Sequence, residues 1–329
     1  MNVMYASDDN YAWLMGISMI SLFENNKESK EVNVFLFGDK LSKENEKILA
    51  GIAEKYGRKF THIDVEKVTI PDYIMSERYP KSTYSRLFAY DLLPTNVKKL
   101  IYLDCDIIVS GSLEDMFNRD VEGKAFLAVK DCVSKAYKRK IGLKPSDTYI
   151  NAGVLLMNLD RLREIPIAER MKAFVDKYSS AMSYADQEIV NNIFQSDFGI
   201  LPPEYDLMTS ESEYTFQQLC LLRHPHHFYS REEMEFAKSN PRIIHYTTCM
   251  LNIRPWFKNS KHSYAWLFDK YMAMSPWKDK EKKEMFFTEK KYKTMKQLEK
   301  FPDWLKYPLL GVLHSFLRPY YMLIKTKLS

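Results

Sequence analysis

The chain has 329 residues, 46% hydrophobic and 28% charged, which suits one large folded domain with or without an appendage and excludes a disordered or collagen-like polypeptide. The formal charge is only +5, and the excess is local: from Lys278 onward there are 13 Lys and Arg against 6 Asp and Glu, whereas the first 277 residues carry 35 and 37. That distribution argues against nucleic acid as a partner and for an anionic surface met by the tail.

Cys105, Cys132, Cys220 and Cys249 show no CxxC spacing, which points to a reduced, intracellular protein. The strand-like MNVMYAS starts at the first methionine and leaves no room for a secretory leader. No run of ~18 apolar residues offers a bilayer span.

In chain order, Asn2–Ala6 reads as a strand. A helix follows with Trp13, Leu14, Ile17, Ile20 and Phe23 along one face. Glu31–Asp39 is a second strand. LSKENEKILAGIAEKYG is a helix with Ser42 as N-cap and Gly57 at its end, and Lys59–Val65 is a third strand. Strand, helix, strand, helix, strand is the signature of parallel βαβ units. A helix is expected over Ser82–Leu92. KKLIYLDCDIIV is apolar without alternation and reads as a central strand buried on both faces. Ala125–Asp131 and Gly153–Leu159 are further strands, and Ile167–Tyr178 and Asp186–Phe194 are helices. Past Pro202 the pattern becomes irregular, RHPHHFYSREE reads as loop, and Ile243–Tyr246 is a last short strand.

These elements imply an α/β fold: a single Rossmann-like domain over residues 1–275, with a mostly parallel central sheet flanked by helices. A basic, aromatic, helical tail over residues 276–329 completes the chain. Pro308 and Pro319 interrupt its apolar stretches, and the mixture of basic and aromatic residues suits an interfacial helix on an anionic membrane surface. The alternative is a helix packed on the domain or on a second subunit.

The sharpest feature is LDCD. Asp104 and Asp106 interrupt an apolar run that resumes at Ile107. Carboxylates at i and i+2 past the carboxyl end of a strand reach the crevice where open α/β sheets bind ligands. Their mutual repulsion calls for a cation, and hard oxygen ligands suit Mg²⁺ or Mn²⁺. A turn in which one aspartate caps backbone amides is the plainer alternative. Haloacid-dehalogenase-like phosphatases use such a pair on their first strand. Here about 100 residues of βαβ pattern precede it, which favours a nucleotide-binding half ahead of a sugar-transfer site.

YASDDNY (Tyr5–Tyr11), TYSRL (Thr83–Leu87), IYLDCDIIV (Ile101–Val109), INAGVLLMNL (Ile150–Leu159), YADQEIVN (Tyr184–Asn191) and IIHY (Ile243–Tyr246) together resemble, in order and spacing, the retaining family 8 glycosyltransferases. The likeness is strongest to the bacterial lipopolysaccharide galactosyl- and glucosyltransferases and extends over residues 1–256. It implies a GT-A fold and a hexosyltransferase that moves galactose or glucose from a UDP-sugar to a hydroxyl of a glycan or lipid-linked saccharide. It also implies a cytoplasmic enzyme, peripheral on the inner face of the cell membrane. Carried over by position, Ala6, Asp8, Asn10 and Tyr11 would hold the uracil. Asp104, Asp106 and His245 would bind Mn²⁺, or Mg²⁺ in its place. Arg86, Asp104, Asn151, Ala152, Asp186 and Gln187 would hold the donor sugar, with Asp186, Gln187 and Arg254 as the catalytic group.

One departure stands out. Where the family runs from its histidine through Gly to Lys-Pro-Trp, this chain reads HYTTCMLNIRPWF, without the Gly and with Arg254-Pro255-Trp256. Arg keeps the charge and adds a bidentate fork for phosphate. Gln187 is a poor nucleophile, which favours same-face attack over double displacement. A catalytically silent sugar-nucleotide-binding protein on the same fold is the competing function. Acceptor choice is expected in the loops from Tyr205 to Ser239, and no motif encodes the donor hexose or the oligomeric state.

Overall fold

The computed structural model describes residues 1–65, 84–289, 293–294, 297–298 and 300–328. Its first half matches the βαβ reading. β1 (Asn2–Asp8), β2 (Asn33–Asp39) and β3 (Lys59–Asp64) are parallel, connected by α1 (Ala12–Glu24) and α2 (Lys43–Lys55). Ser42 accepts the backbone N–H of Asn45 and so caps α2, and Gly57 closes the turn after it at φ +64°. β4 (Lys99–Leu103) lies on the other side of β1. With β6 (Phe126–Lys130), β7 (Ile150–Asn158) and β8 (Phe198–Ile200) the sheet has seven strands in the order β3-β2-β1-β4-β7-β6-β8. β7 alone runs against the rest.

Alternate residues of the inner strands feed two separate cores. Val3, Tyr5, Ile101 and Leu103 pack on one face, and Met4, Leu100 and Tyr102 on the other. This double burial is why β4 lacks alternation. α1 carries less sidedness than its pattern suggested, because every residue from Leu14 to Phe23 is buried.

Several expectations need correcting. KKLIYLDCDIIV is not one strand: the chain leaves the large sheet after Leu103, turns through Asp104-Cys105-Asp106, and continues as β5 (Ile107–Val109) in a second sheet. That sheet has the order β5-β10-β9, with β9 (Leu207–Met208) and β10 (Ile243–His245). The two carboxylates break the strand because a buried ladder has no place for them. Asn151 and Ala152 lie inside β7, which begins at Ile150, three residues ahead of the strand expected from Gly153. Of the helix expected over Ser82–Leu92, Ser82 and Thr83 fall outside the described residues. The rest of that segment is helical from Tyr84 to Leu92, as expected, with a 3-10 stretch (Arg86–Phe88) in its middle and α-helix over Ala89–Leu92. The region past Pro202 is more regular than its composition suggested, with helices Phe216–Arg223 and Arg231–Ser239, each opened by a capping box. His224, His226 and His227 do sit in the loop between them.

One serine and two asparagines of α1 and its end fasten β5 and the segment after it to that helix. Ser21 Oγ accepts the Val109 N–H at 2.9 Å, and Asn25 Nδ2 donates to the Val109 carbonyl at 3.0 Å. Asn26 Oδ1 accepts from the Leu113 N–H at 2.8 Å. Tyr5 and Ser18 share a buried hydroxyl bond beneath them.

The tail packs back on the domain. Helix Asp303–Val312 lies on Phe216–Arg223, with Tyr307 and Leu310 against Leu222. It passes through a π turn (Leu313–Leu317) into helix Arg318–Leu328. Ser315 Oγ donates to the Leu222 carbonyl at 2.9 Å and the Ser315 carbonyl accepts from Ser134 Oγ at 2.6 Å. Gly311 is required by this contact, since a Cβ there would overlap the backbone carbonyl of Leu221. Gly311→Ala should therefore lower the unfolding free energy by about 1–3 kcal/mol, an overpacking cost. Gly51→Ala, on an exposed turn of α2 with nothing within 4 Å, should not lower it. Thermal unfolding of the two variants makes the comparison.

Candidate active site

Three side chains converge where the two sheets meet. Asp104 and Asp106 stand in the turn between β4 and β5. β10 pairs antiparallel with β5, and this sets His245 opposite Ile107. The Tyr246 N–H donates to the Asp106 carbonyl at 2.9 Å, fixing that register. His245 Nε2 lies 3.3 Å from Asp106 Oδ1 and 3.7 Å from Asp104 Oδ2, and the three ligand atoms fall within 4.8 Å of one another. A divalent cation held at ~2.0–2.3 Å by each would require such spacings.

The surroundings fit a cation. Gly153 closes the cradle from β7: a Cβ there would overlap His245 Cε1 and stand 2.8 Å from Asp104 Oδ2. Burial disfavours a charged imidazole, but Asp206 and Asp106 together push the His245 pKa well above the ordinary range. Burial likewise opposes ionisation of Asp106, yet His245 and Arg254 outweigh it and bring its pKa down to about 2. The site thus holds excess negative charge that a proton on Nε2 offsets here and a divalent cation would offset better. The other ring nitrogen, Nδ1, is bonded to the fully buried Asp206 at 2.9 Å. This carboxylate orients the imidazole so that Nε2 faces the two aspartates.

Beside this cluster lies a buried guanidinium. Arg86 Nη2 pairs with Asp104 Oδ1 at 2.9 Å and Nε with Asp186 Oδ2 at 2.7 Å. Its Nη1 donates to the Ala152 carbonyl at 2.5 Å, and the group lies 4.2 Å from the centre of the Tyr102 ring. Tyr102 also donates its hydroxyl to Asp104 Oδ1 at 2.6 Å. Burial raises the pKa of Asp186 to about 6, with Arg86 opposing and Asp104 adding to the shift. Gln187, next on helix Ala185–Ile193, has its amide fully engaged. Its Oε1 accepts the Ala152 N–H at 3.2 Å, and its Nε2 donates to Asp131 at 3.0 Å and to Tyr149 at 3.3 Å. Asn151 Oδ1 accepts the Gly153 N–H at 2.7 Å, so that side chain stiffens the strand at the cradle.

At the end of β1, Asp8 Oδ1 accepts the Tyr11 N–H at 3.0 Å and Oδ2 takes Asn10 at 3.4 Å. Asp9 turns away to bond Ser42 and Asn45 at the start of α2. The Tyr11 ring is 41% exposed and offers a free face. Arg254 Nη2 pairs with Asp106 Oδ2 at 3.1 Å, while its buried Nε has no hydrogen-bond partner among the described residues.

Every site residue expected from the sequence except Asn10 lines one cleft of about 1190 Å³, which the fold brings together from β1, the β4–β5 turn, β7, helix Ala185–Ile193 and β10, whereas Asp206 stands behind it. Asp131, Cys132, Tyr184, Arg223 and several residues of the tail line it as well. Sequence reasoning missed Asp206, Tyr102 and Asp131. Asp131 closes a predicted strand at its carboxyl end, a readable signal. Asp206 sits in PPEYDL, where no spacing marks it.

Residues 2–260 match the model of glycosyl transferase family 8. The chain belongs to that family. Family relatives include a lipopolysaccharide 1,2-glucosyltransferase of Escherichia coli, 27% identical over 92% of this chain and 87% of that protein. General stress protein A of Bacillus subtilis is 23% identical over 84% of this chain and 94% of its own. Among solved structures, the galactosyltransferase LgtC in complex with donor and acceptor sugar analogues superposes with a TM-score of 0.67 at 22% identity, over 84% of this chain and 96% of LgtC. The likeness establishes the GT-A architecture expected from the sequence motifs.

Two substitutions test the cradle by binding alone, read by calorimetric titration with Mn²⁺ as the probe. Asp206→Asn should weaken binding by about 10–100-fold, because the imidazole loses its orienting charge. Gly153→Ala should weaken it further while a cooperative unfolding transition persists. A Gly153→Ala protein that binds Mn²⁺ like the wild type would remove the cradle as an explanation.

Proposed function

We propose that this protein is a metal-dependent, retaining hexosyltransferase that moves galactose or glucose from a UDP-sugar to a hydroxyl of a glycan or lipid-linked saccharide during cell-surface polysaccharide synthesis. The observation that carries the reading is the Asp104–Asp106–His245 cluster in one cleft with the Arg86–Asp186–Gln187 group. The similarity to the Escherichia coli lipopolysaccharide glucosyltransferase supports the acceptor class.

In this reading Tyr11 stacks on the uracil from its open face, with Ala6, Asp8 and Asn10 along the base edge. A divalent cation, Mn²⁺ or Mg²⁺, on Asp104, Asp106 and His245 supplies Lewis-acid stabilisation of the diphosphate when bound. Arg254 contributes a buried Nε–H and positive charge to the same diphosphate, which helps most as the leaving group gains charge. Arg86, Asn151, Ala152, Asp186 and Gln187 hold the hexose.

The bond from the anomeric carbon to the phosphate oxygen breaks, and its electron pair leaves with UDP. The acceptor oxygen bonds to the same face of that carbon, and its proton passes to the departing phosphate oxygen. The full engagement of the Gln187 amide supports a positioning role for it rather than a nucleophilic one. Asp186, paired with Arg86, is suited to gripping sugar hydroxyls.

The outer face of the tail supports binding to an anionic bilayer from the cytoplasmic side. Trp304, Leu317, Tyr321 and Ile324 are 56–74% exposed within a segment rich in lysine, as on an interfacial helix. Among the described residues no helix is long and apolar enough to cross a membrane.

The test is UDP release from a panel of UDP-sugars with Mn²⁺, Mg²⁺ or EDTA. One donor should be cleaved slowly in a metal-dependent way, and Asp106→Asn should abolish that turnover while the protein stays folded. Metal-independent turnover, or full activity of Asp106→Asn, would sink the metal site. UDP binding without cleavage of any donor, with or without added sugars, would favour a sugar-nucleotide-binding protein.

A further inference from the structure

The tail is not confined to the outside of the domain. His314 and Ser315 of the π turn, and Arg318, Pro319 and Met322 of the next helix, line the same cleft as the metal cradle. They do so opposite helix Lys135–Lys140 and the turn Ser179–Ala181, against which the last helix packs. Ser134 bonds the Ser315 carbonyl, and Ser183 Oγ reaches Met322 Sδ at 3.4 Å. A π turn inserts an extra residue per turn and often marks a functional position in a helix. Here it interrupts the tail at the point where it meets the cleft.

The charges on this wall are unbalanced. Four guanidinium groups line the cleft. Arg86 and Arg254 are ion-paired with aspartates, and Arg223 has Asp131 near it. Arg318 is exposed on its helix, forms no ion pair among the described residues, and stands close enough to Lys140 to oppose its charge. Lys140 is itself neutralised by the buried Glu188 at 2.7 Å. A cation that lines a cleft beside another cation, with no carboxylate of its own, suits an anion arriving with a ligand. A guanidinium fork suits phosphate geometry in particular. The nucleotide end of the cleft already has Arg254, and the floor has Arg86, so the tail wall is left for the second substrate.

We propose that the cleft-facing side of the C-terminal segment forms part of the acceptor site, with Arg318 binding a phosphate-type oxyanion carried by the acceptor. The inference rests on the glycosyl-transfer reading and moves part of the acceptor selection from the loops of Tyr205–Ser239 to the tail. The same chemistry is present in a lipid headgroup at the cleft mouth, and the test separates the two sources.

With UDP and Mn²⁺ held at saturation so that the nucleotide end is filled, binding of glucose and of glucose 6-phosphate is measured for the full chain and for Arg318→Gln. The wild type should bind the phosphorylated probe at least about tenfold more tightly, the scale of one charge-assisted contact. Arg318→Gln should erase that preference and leave acceptor-free UDP release unchanged. A wild type without the preference, or a variant that keeps it, overturns the proposal. In a parallel arm, vesicles of phosphatidylcholine with and without phosphatidylglycerol are bound by both proteins. If Arg318→Gln loses only the attraction to phosphatidylglycerol and keeps the probe preference, Arg318 is a headgroup contact and the acceptor role is wrong. Absence of UDP release in the wild type would count against the transferase reading, whereas the probe comparison stands without turnover.

Discussion

The floor of the cleft depends on one buried cation. Arg86 is 7% exposed, yet it meets a carboxylate from the β4–β5 turn, a carboxylate from helix Ala185–Ile193 and a backbone carbonyl from β7. The guanidinium is the shared partner that draws these three oxygen atoms to one point. Without the guanidinium, Asp104 and Asp186 would face each other in a poorly hydrated space, and breaking a buried pair of this kind costs about 3–5 kcal/mol. The Tyr102 ring, 4.2 Å from the guanidinium, adds a cation–π contact and leaves the N–H groups for the carboxylates.

The metal cradle arises from a change of sheet. A chain that continued straight through Leu103 would send Asp104 and Asp106 to the same face of one strand, among apolar neighbours. By stepping into a second, smaller sheet it turns both carboxylates outward at the seam, and β10 returns from far along the sequence to add His245. The small sheet shares the main apolar core through Ile107, Ile108, Val109 and Ile244, and polar groups fix its alignment. Ser21, Asn25 and Asn26 grip β5 and the segment after it through backbone bonds. Helix α1, which looks like an ordinary core helix, therefore also aligns the site.

Much of this was legible in the sequence, for physical reasons. Parallel βαβ order, the Ser42 cap and Gly57 were readable because propensity and burial agree there. The candidate ligands Asp104 and Asp106 stood out because charge inside an apolar run has few innocent explanations. The break at Leu103 was hidden, since both halves of the run are buried and hydrophobicity carries no trace of a change in partner strand. The start of β7 at Ile150 was hidden because Asn and Gly usually make turns, whereas here tertiary packing keeps Asn151–Gly153 extended so that the backbone can approach the cradle. Asp206 was unreadable because its importance is to a histidine 39 residues later. Helices after Pro202 were missed because their short lengths give little periodicity, though their capping boxes were present.

The contact between Gly311 and the Leu221 carbonyl bears on the reach of the protein. Two backbones in direct apposition have no soft side chain between them, so the tail cannot slide along its groove by a fraction of a turn. Its exposed side chains Trp304, Leu317, Tyr321 and Ile324 are consequently at set distances from the cleft. A tether would let an enzyme sample acceptors of many lengths. On the proposed bilayer, a segment seated this way would act as a ruler: sugars held at one height above their anchor would meet the cleft, and shorter or longer chains would pass beneath or beyond it.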